Sequence, residues 1–498
     1  MTTLFTGGAG TALAVTDGVI TWTGAVYPGT PTEVVDLAGG LLTPAFVDAH
    51  VHATSAGLLR TGLDLTEVGS LGDLLDAVRD RVREQPDTLL WGHGWDETRF
   101  AENRPPTRAE LDAVAGATAV YLSRIDVHSA LASSALVDLA PGARAAAGWS
   151  DGPLARDAHH HVRRAALESI TPDQRRAAQL AFLRHAASMG IACVHECGGP
   201  DISGREDLAG LLALSGDLPR VIGYWGERGV RVPGAHGLAG DLFVDGAFGS
   251  RTAALREPYT DRPDTSGARY LDADQIAEHL VTCTETGIQA GFHVIGDAAT
   301  AAVVAGFRGA AEVLGETALA GARHRLEHLE MITAREAAEL ARYRVVASVQ
   351  PLFDALWGGQ DGMYVQRLGR DRAATLNPFA MMAAEGLTLA FGSDAPVTPV
   401  DPWATVWAGV HHRTPGSGLS QEAAFAAHTA GGWAAAGETG GVLEVGAPAT
   451  FAVWDVPDLV DGLPPVDSNP TCLRTVLDGT TIYHRSERDG VLATERSE

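Results

Sequence analysis

The period of apolar and polar positions changes twice along the chain, and each change marks a different part. Over the first forty residues the two classes alternate. Residues 11–16 and 19–23 flank Asp17-Gly18, a dipeptide that favours a two-residue hairpin turn. The same patterning returns near the end, at 451–454 and at 474–477 and 480–483 on either side of Asp478-Gly479. The two chain ends are therefore expected to build one small β-sandwich domain from residues 1–43 and 437–498. Between them, short apolar runs recur at 119–122, 191–194, 242–244, 288–292, 325–326, 345–349 and 387–391, separated by helical stretches rich in Ala, Leu, Arg and Glu. Such alternation implies an α/β protein with a parallel sheet. With the run ending at Val47 there are eight candidate strands, the number a closed (β/α)8 TIM barrel needs. Residues 221–225 are a ninth candidate, so the count alone does not establish closure. The barrel is expected to span 44–436. The stretch from about 54 to 118 is too long for a simple crossover and reads as an inserted subdomain.

Composition narrows the function classes. A chain of 498 residues with 45% apolar and 20% charged residues suits a large packed core. The net charge of −25, from 62 acidic and 37 basic residues, argues against nucleic acid, which needs clustered cations. No run of about 18 uninterrupted apolar residues suggests a membrane span. The start, MTTLFTGGAG, lacks the basic and apolar regions of a secretory signal, so a cytoplasmic protein acting on a small molecule is expected, with a homodimer as the candidate assembly. Cys193, Cys197, Cys283 and Cys472 are too few and scattered to staple the chain and are expected to be reduced. Lysine is absent, so every one of the 37 basic residues is arginine.

The chemistry-bearing residues sit where apolar runs end. Asp48-Ala49-His50-Val51-His52 follows the first run, and residues two apart in a strand face the same side, so His50 and His52 can point at one cation. Taken alone, an HxH pair is as compatible with ordinary core or surface histidines. Three more polar residues share the context, however: His293 after Phe292, His328 after Glu327, and Asp394 after Gly392-Ser393. In a barrel those strand ends converge on the catalytic face. Imidazole and carboxylate together are zinc-type ligands, and tolerate iron, manganese or cobalt. Cys193-Val194-His195-Glu196-Cys197 also has alternate residues on one face, but reads as structural. The run His159-His160-His161 reads as a solvated loop.

These elements resemble the amidohydrolase superfamily, and within it the branch of N-substituted formamide deformylases. The resemblance rests on PAFVDAHVH (44–52), WGHGWDETRF (91–100), RIDVHSAL (124–131), LFVDGAFGSRTAAL (242–255), FHVIGD (292–297), HRLEHLE (324–330), SVQP (348–351), FGSDAPV (391–397) and GGVLEVGAPATFAVWD (440–455). It implies that His50, His52, His293, His328 and Asp394 are the metal ligands. It further implies that Asp394 is the general acid and base, and that His328 assists catalysis. Members with two metals carry a carboxylated lysine four residues before the aspartate of the DG motif. Here that aspartate is Asp245, the matching position is Asp241, and no lysine exists to be carboxylated. One divalent cation per chain, zinc by preference, is therefore expected, held by His50, His52, His293 and Asp394 with His328 alongside. Asp241 is expected to fall short of the metal and to orient a ligand histidine, as is Asp297. The resemblance also places His128, Asp245, Ser250 and Arg251 near substrate. A turn-forming Asp-Gly with a surface arginine is an equal reading of the last three. Trp95 and Trp91 could line the pocket or simply pack.

The implied activity is hydrolysis of an amide, formamide or related non-peptide C–N bond in a small neutral or apolar-substituted molecule. The alternatives are a hydrolytic deaminase of the same superfamily and a catalytically dead scaffold on the same fold. A scaffold would have lost ligands, whereas all five are present.

Overall fold

The structure is a computed structural model, and it describes residues 1–9, 11–86, 88–125, 129–200, 202–456 and 463–485. The chain forms two compact units, Met1–His52 with Leu183–Glu498, and Ala53–Phe182. Among the described residues the strands of the first unit form an eight-stranded and a seven-stranded sheet. No single helix there is long and apolar enough to cross a membrane.

The eight-stranded sheet is a parallel (β/α)8 barrel in chain order: Phe46–Val51, Ile191–Gly198, Arg220–Trp225, Gly237–Leu238, Gln289–Val294, Arg325–His328, Val346–Val349 and Thr388–Phe391. Most of these strands are buried along their whole length, which is why they read as continuous apolar runs rather than alternating ones. The first and last strands meet through Asp394 N donating to His50 O and His52 N donating to Ala395 O, both at 2.8 Å. Asp48 pins the same seam, accepting from Ser393 N at 2.8 Å and Ser393 Oγ at 2.7 Å.

Two strand assignments change. Of the run at 119–122, residues 120–122 join a sheet of the second unit as part of Val120–Arg124, while the ninth candidate, at 221–225, falls in the third barrel strand. An apolar run looks alike in either sheet, because its partners lie far away in sequence. The fourth strand is the short Gly237–Leu238; after a break at Gly240, residues 242–244 bridge the fifth strand in parallel through Phe243 and His293, Val244 N donating to His293 O at 2.9 Å and His293 N to Leu242 O at 3.0 Å.

The chain ends build one continuous seven-stranded sheet, ordered Thr480–His484, Thr471–Leu477, Phe451–Asp455, Glu33–Pro44, Thr2–Ala9, Ala12–Thr16, Val19–Gly24. It folds over a core of Phe5, Leu13, Ile20, Phe451 and Val476, with Ala449 N donating to Gly18 O at 2.8 Å. Both Asp-Gly turns take positive φ at both positions, as a two-residue hairpin of this type requires.

The insertion is larger than residues 54–118, since Ala53–Phe182 forms one unit with a five-stranded sheet and its own core around Leu74, Leu111 and Leu122. The run 159–161 lies in the helix Arg156–Ser169 rather than in a loop. Ala158, Val162, Ala165 and Ala166 bury one helical face, and His159 goes in with them, its Nε2 2.8 Å from Tyr121 Oη.

Candidate metal centre

His50 and His52 occupy alternate positions where the first barrel strand ends, and both face inward. His50 is held from behind: its Nδ1 lies 2.9 Å from Glu327 Oε2. Glu327 is locked in turn by Arg325, which donates through Nε to Oε1 at 2.6 Å and through Nη2 to Oε2 at 2.9 Å. The guanidinium also donates to Ala49 O at 2.7 Å and to Ser348 Oγ at 3.1 Å, and lies 4.2 Å from the centre of the Tyr224 ring. Burial alone would raise the Glu327 carboxyl, but Arg325 and His50 reverse this and hold it well below the usual carboxylate range. An ionised carboxylate only accepts, so His50 Nδ1 carries a proton and Nε2 is the ring nitrogen left to face a cation.

That Nε2 faces two carboxylates, Asp241 Oδ1 and Asp394 Oδ1, each at 3.5 Å. His52 Nε2 lies 3.4 Å from Asp241 Oδ2 and 3.1 Å from Asp394 Oδ1. His328 closes the other side. Its ring centre is 5.1 Å from that of His50, and its Nδ1 is held at 2.7 Å by Gln350 Oε1. Both His328 (φ +70°) and Asp394 (φ +55°) are left-handed, a backbone strain of the kind concentrated at working sites. Gly392 has no room for a Cβ, which would lie 2.6 Å from His50 N, so the eighth strand can press directly on the first.

Burial would raise the Asp394 carboxyl, yet the facing imidazoles of His50 and His52 bring it below its ordinary value. Burial drives His293 down to about 3 and His328 down to about 4, each aided by neighbouring imidazole charge, so both stay neutral.

The donor set fits a divalent cation. His50 Nε2 and Asp241 Oδ1 are buried polar atoms with no hydrogen-bond partner. The ligand atoms of His50, His52 and Asp394 lie within 4.8 Å of one another, as do those of His50, Asp241 and His328. Two or more imidazoles with a carboxylate is a zinc-type set.

The remaining candidates are distributed differently. Asp241 does not stand behind a ligand histidine, because Glu327 holds that place on His50. His293 ends the fifth strand with its ring 4.5 Å from His328 and its Nδ1 4.0 Å from Asp245. Asp245 is buried and spends its carboxylate on backbone amides of Ala254, Ile295 and Gly296 at 2.8–2.9 Å, so it shapes the loop behind His293. Burial raises it to about 7 against the pull of those three donors. Ser250 bonds Thr252 Oγ1 at 2.7 Å, and the Arg251 guanidinium is paired with Asp261 at 2.6 Å. Asp297 opens a helix and accepts from Arg256 N at 3.0 Å rather than from a histidine. Trp95 is fully buried in the insertion's own core, its Nε1 donating to Leu122 O at 2.9 Å, and Trp91 packs on Tyr121 there. His128 lies outside the described residues. Cys193 and Cys197 are buried thiols pushed far toward the neutral form by burial. Sequence reasoning missed Arg325, Glu327 and Gln350. Arg325 and Glu327 share a strand face in HRLEHLE, which was the available signal.

Such a centre, at the C-terminal ends of barrel strands, defines a metal-dependent hydrolase of the (β/α)8 class. The chain matches the amidohydrolase family over residues 33–483 and belongs to it. It is similar to the putative amidohydrolase YtcJ of Bacillus subtilis (strain 168), 28% identical over 427 residues that cover 78% of each chain. It is also similar to the N-substituted formamide deformylase of Arthrobacter pascens, 23% identical over 499 residues, 91% of this chain and 90% of that one. Among solved structures, an uncharacterized metal-dependent hydrolase from Pyrococcus furiosus shares the fold, with a TM-score of 0.76 at 24% identity, covering 91% of this chain and 98% of the other.

Proposed function

We propose that the protein hydrolyses a non-peptide amide or formamide-type C–N bond of a small neutral molecule carrying an apolar group, using one divalent cation, zinc by donor chemistry. The observation that carries this reading is the convergence of His50, His52 and Asp394 around buried, unpartnered donor atoms. When bound, such a cation supplies Lewis acidity, bringing the pKa of a coordinated water to about 7 and polarising a carbonyl oxygen.

The chain's own residues supply the rest. Asp394, ionised and buried, accepts a proton from the attacking water and passes it to the leaving nitrogen. His328 gives its Nδ1–H to Gln350 Oε1, so its neutral ring keeps a lone pair on Nε2, fit to accept a hydrogen bond from the attacking water or to bind the cation. Next to it an aromatic run supplies an apolar surface suited to an apolar substituent: Phe353 stacks on His328 at 5.9 Å, and Trp357 lies 4.6 Å from Phe353. Arg251, which the resemblance places near substrate, is tied to Asp261, as is Arg367, which disfavours an anionic substrate. The formamide deformylase relative supports the formyl-type option. The test is a screen of N-substituted formamides, N-acyl amines and cyclic amides with zinc-loaded protein. Turnover of an aryl- or alkyl-substituted formamide is expected. Release of ammonia from an amino-substituted ring, with no amide or formamide turned over, would replace this reading with deamination.

A further inference from the structure

We propose that Phe243 contacts the substrate: its half-buried ring beside the metal centre is an apolar wall that favours a flat apolar group, an aryl ring above all, close to the bond that is cut. The inference rests on the hydrolase reading above and adds a specificity-determining residue at the His293 end of the site, where that reading names none.

The backbone sets where the ring points. Residues 242–244 run alongside the fifth strand, His293 N donating to Leu242 O at 3.0 Å and Val244 N to His293 O at 2.9 Å, so Phe243 is bridged to His293 in parallel. Bridged residues point to the same side, and successive residues of an extended segment point to opposite sides. Leu242 and Val244 are buried in the core, and Phe243 turns the other way, with His293. Its ring lies 4.6 Å from the His293 ring, which lies 4.5 Å from His328. Two residues earlier, Asp241 stands 3.5 and 3.4 Å from the Nε2 atoms of His50 and His52. The segment therefore runs along the metal centre and carries the Phe243 ring there.

The ring is also fixed in place. Two residues on, Asp245 accepts from three backbone amides at 2.8–2.9 Å, and Val244 O accepts from Tyr270 N at 2.7 Å, so the segment is tied on both edges. A wall that is set before a ligand arrives needs little ordering on binding. Packing within the protein does not use the ring up: its contact with His293 is tilted by 51°, and it stays half-buried between two buried neighbours. A single apolar side chain open on an outer surface means little. Here the open apolar area borders the residues that hold the cation, and covering it is favourable roughly in proportion to the area removed from water. An aryl ring gains more than its area, because aromatic pairs attract beyond burial alone. An apolar wall beside a few fixed polar groups is how small-molecule sites orient their ligands.

The test compares wild type with Phe243→Thr, which removes the ring and suits an extended segment. Both proteins, loaded with zinc, are titrated calorimetrically with benzohydroxamate and with acetohydroxamate. These probes share a chelating group for the open position of a catalytic zinc and differ in carrying a phenyl or a methyl group. The preference for benzohydroxamate over acetohydroxamate should be about tenfold smaller in the variant, with zinc content and acetohydroxamate affinity near those of wild type. A ring that only packs on His293 would weaken both hydroxamates alike, or zinc itself, and leave the preference unchanged; that result overturns the inference alone. Wild type that binds zinc and both probes with no preference for the phenyl group also overturns it. Wild type that holds no zinc, or binds neither hydroxamate, overturns the hydrolase reading and the inference with it. Should circular dichroism show that Phe243→Thr does not fold, Phe243→Val is titrated in its place: a reduced preference supports the wall and an unchanged one overturns it.

Discussion

Glu327 Oε2 lies 2.9 Å from His50 Nδ1, on the side of the ring away from the cation-facing Nε2, and both side chains are fully buried. Because Arg325 holds the same carboxylate, one acidic side chain both neutralises a buried guanidinium and sets the tautomer of a ligand. Glu327→Gln should therefore act twice. Zinc affinity should fall by about 10–100-fold. Stability to denaturant should fall by about 3–5 kcal/mol, because Arg325 is left as an uncompensated buried charge. Unchanged affinity with lowered stability would show that the pair holds the barrel together but does not orient His50.

Metal removal gives a broader check. Dialysis against a strong chelator should abolish turnover, and zinc or manganese should restore it, because His50, His52 and Asp394 bring their donor atoms together around one point. Full activity in a protein shown to be metal-free by elemental analysis would contradict the proposed chemistry.

Asp394→Asn keeps the size of the side chain and the left-handed backbone, which asparagine tolerates well. It cannot accept the proton. Turnover should drop by about 10²–10⁴-fold while circular dichroism stays native. Near-native kcat with normal zinc content would reduce Asp394 to a ligand or a structural cap.

How far these residues were readable from sequence depends on the distance over which each relationship acts. Local signals held: the Asp-Gly turns at 17–18 and 478–479 and the polar residues at strand ends are set by neighbours a few positions away. Non-local choices were hidden. Residues 119–122 and 221–225 have the same apolar character, and only their hydrogen-bonded partners put one in the insertion and the other in the barrel. The Glu327–His50 contact spans 277 residues, and no pattern in either segment announces it. The approach of Asp241 to His50 and His52, within 3.4–3.5 Å of their Nε2 atoms, is likewise unmarked in its own segment, where Gly240 turns the chain just before it. Arg251 and Asp297 read as site residues from motif position alone; their charges are engaged by Asp261 and Arg256.

Acid stability tests a histidine away from the cation. His324 is fully buried; its Nδ1 accepts from Ala290 N and its Nε2 pairs with Thr284 Oγ1, both at 2.9 Å. Protonating Nδ1 would set two N–H groups against each other. Burial, with added repulsion from His279, lowers its pKa from 6.5 to about 3. Between those values the unfolded chain binds a proton here that the native protein does not, so the associated stability is fully present above pH 6.5 and is lost as pH falls toward about 3. The slope from one such group approaches about 1.4 kcal/mol per pH unit. His324→Asn offers an amide oxygen to Ala290 N and cannot titrate. Urea unfolding at about pH 7, 6 and 5, with both proteins at equal zinc loading, should show a shallower acid loss in the variant. Parallel curves for the two proteins would mean that His324 is already protonated, or already exposed, in the native state at about pH 5.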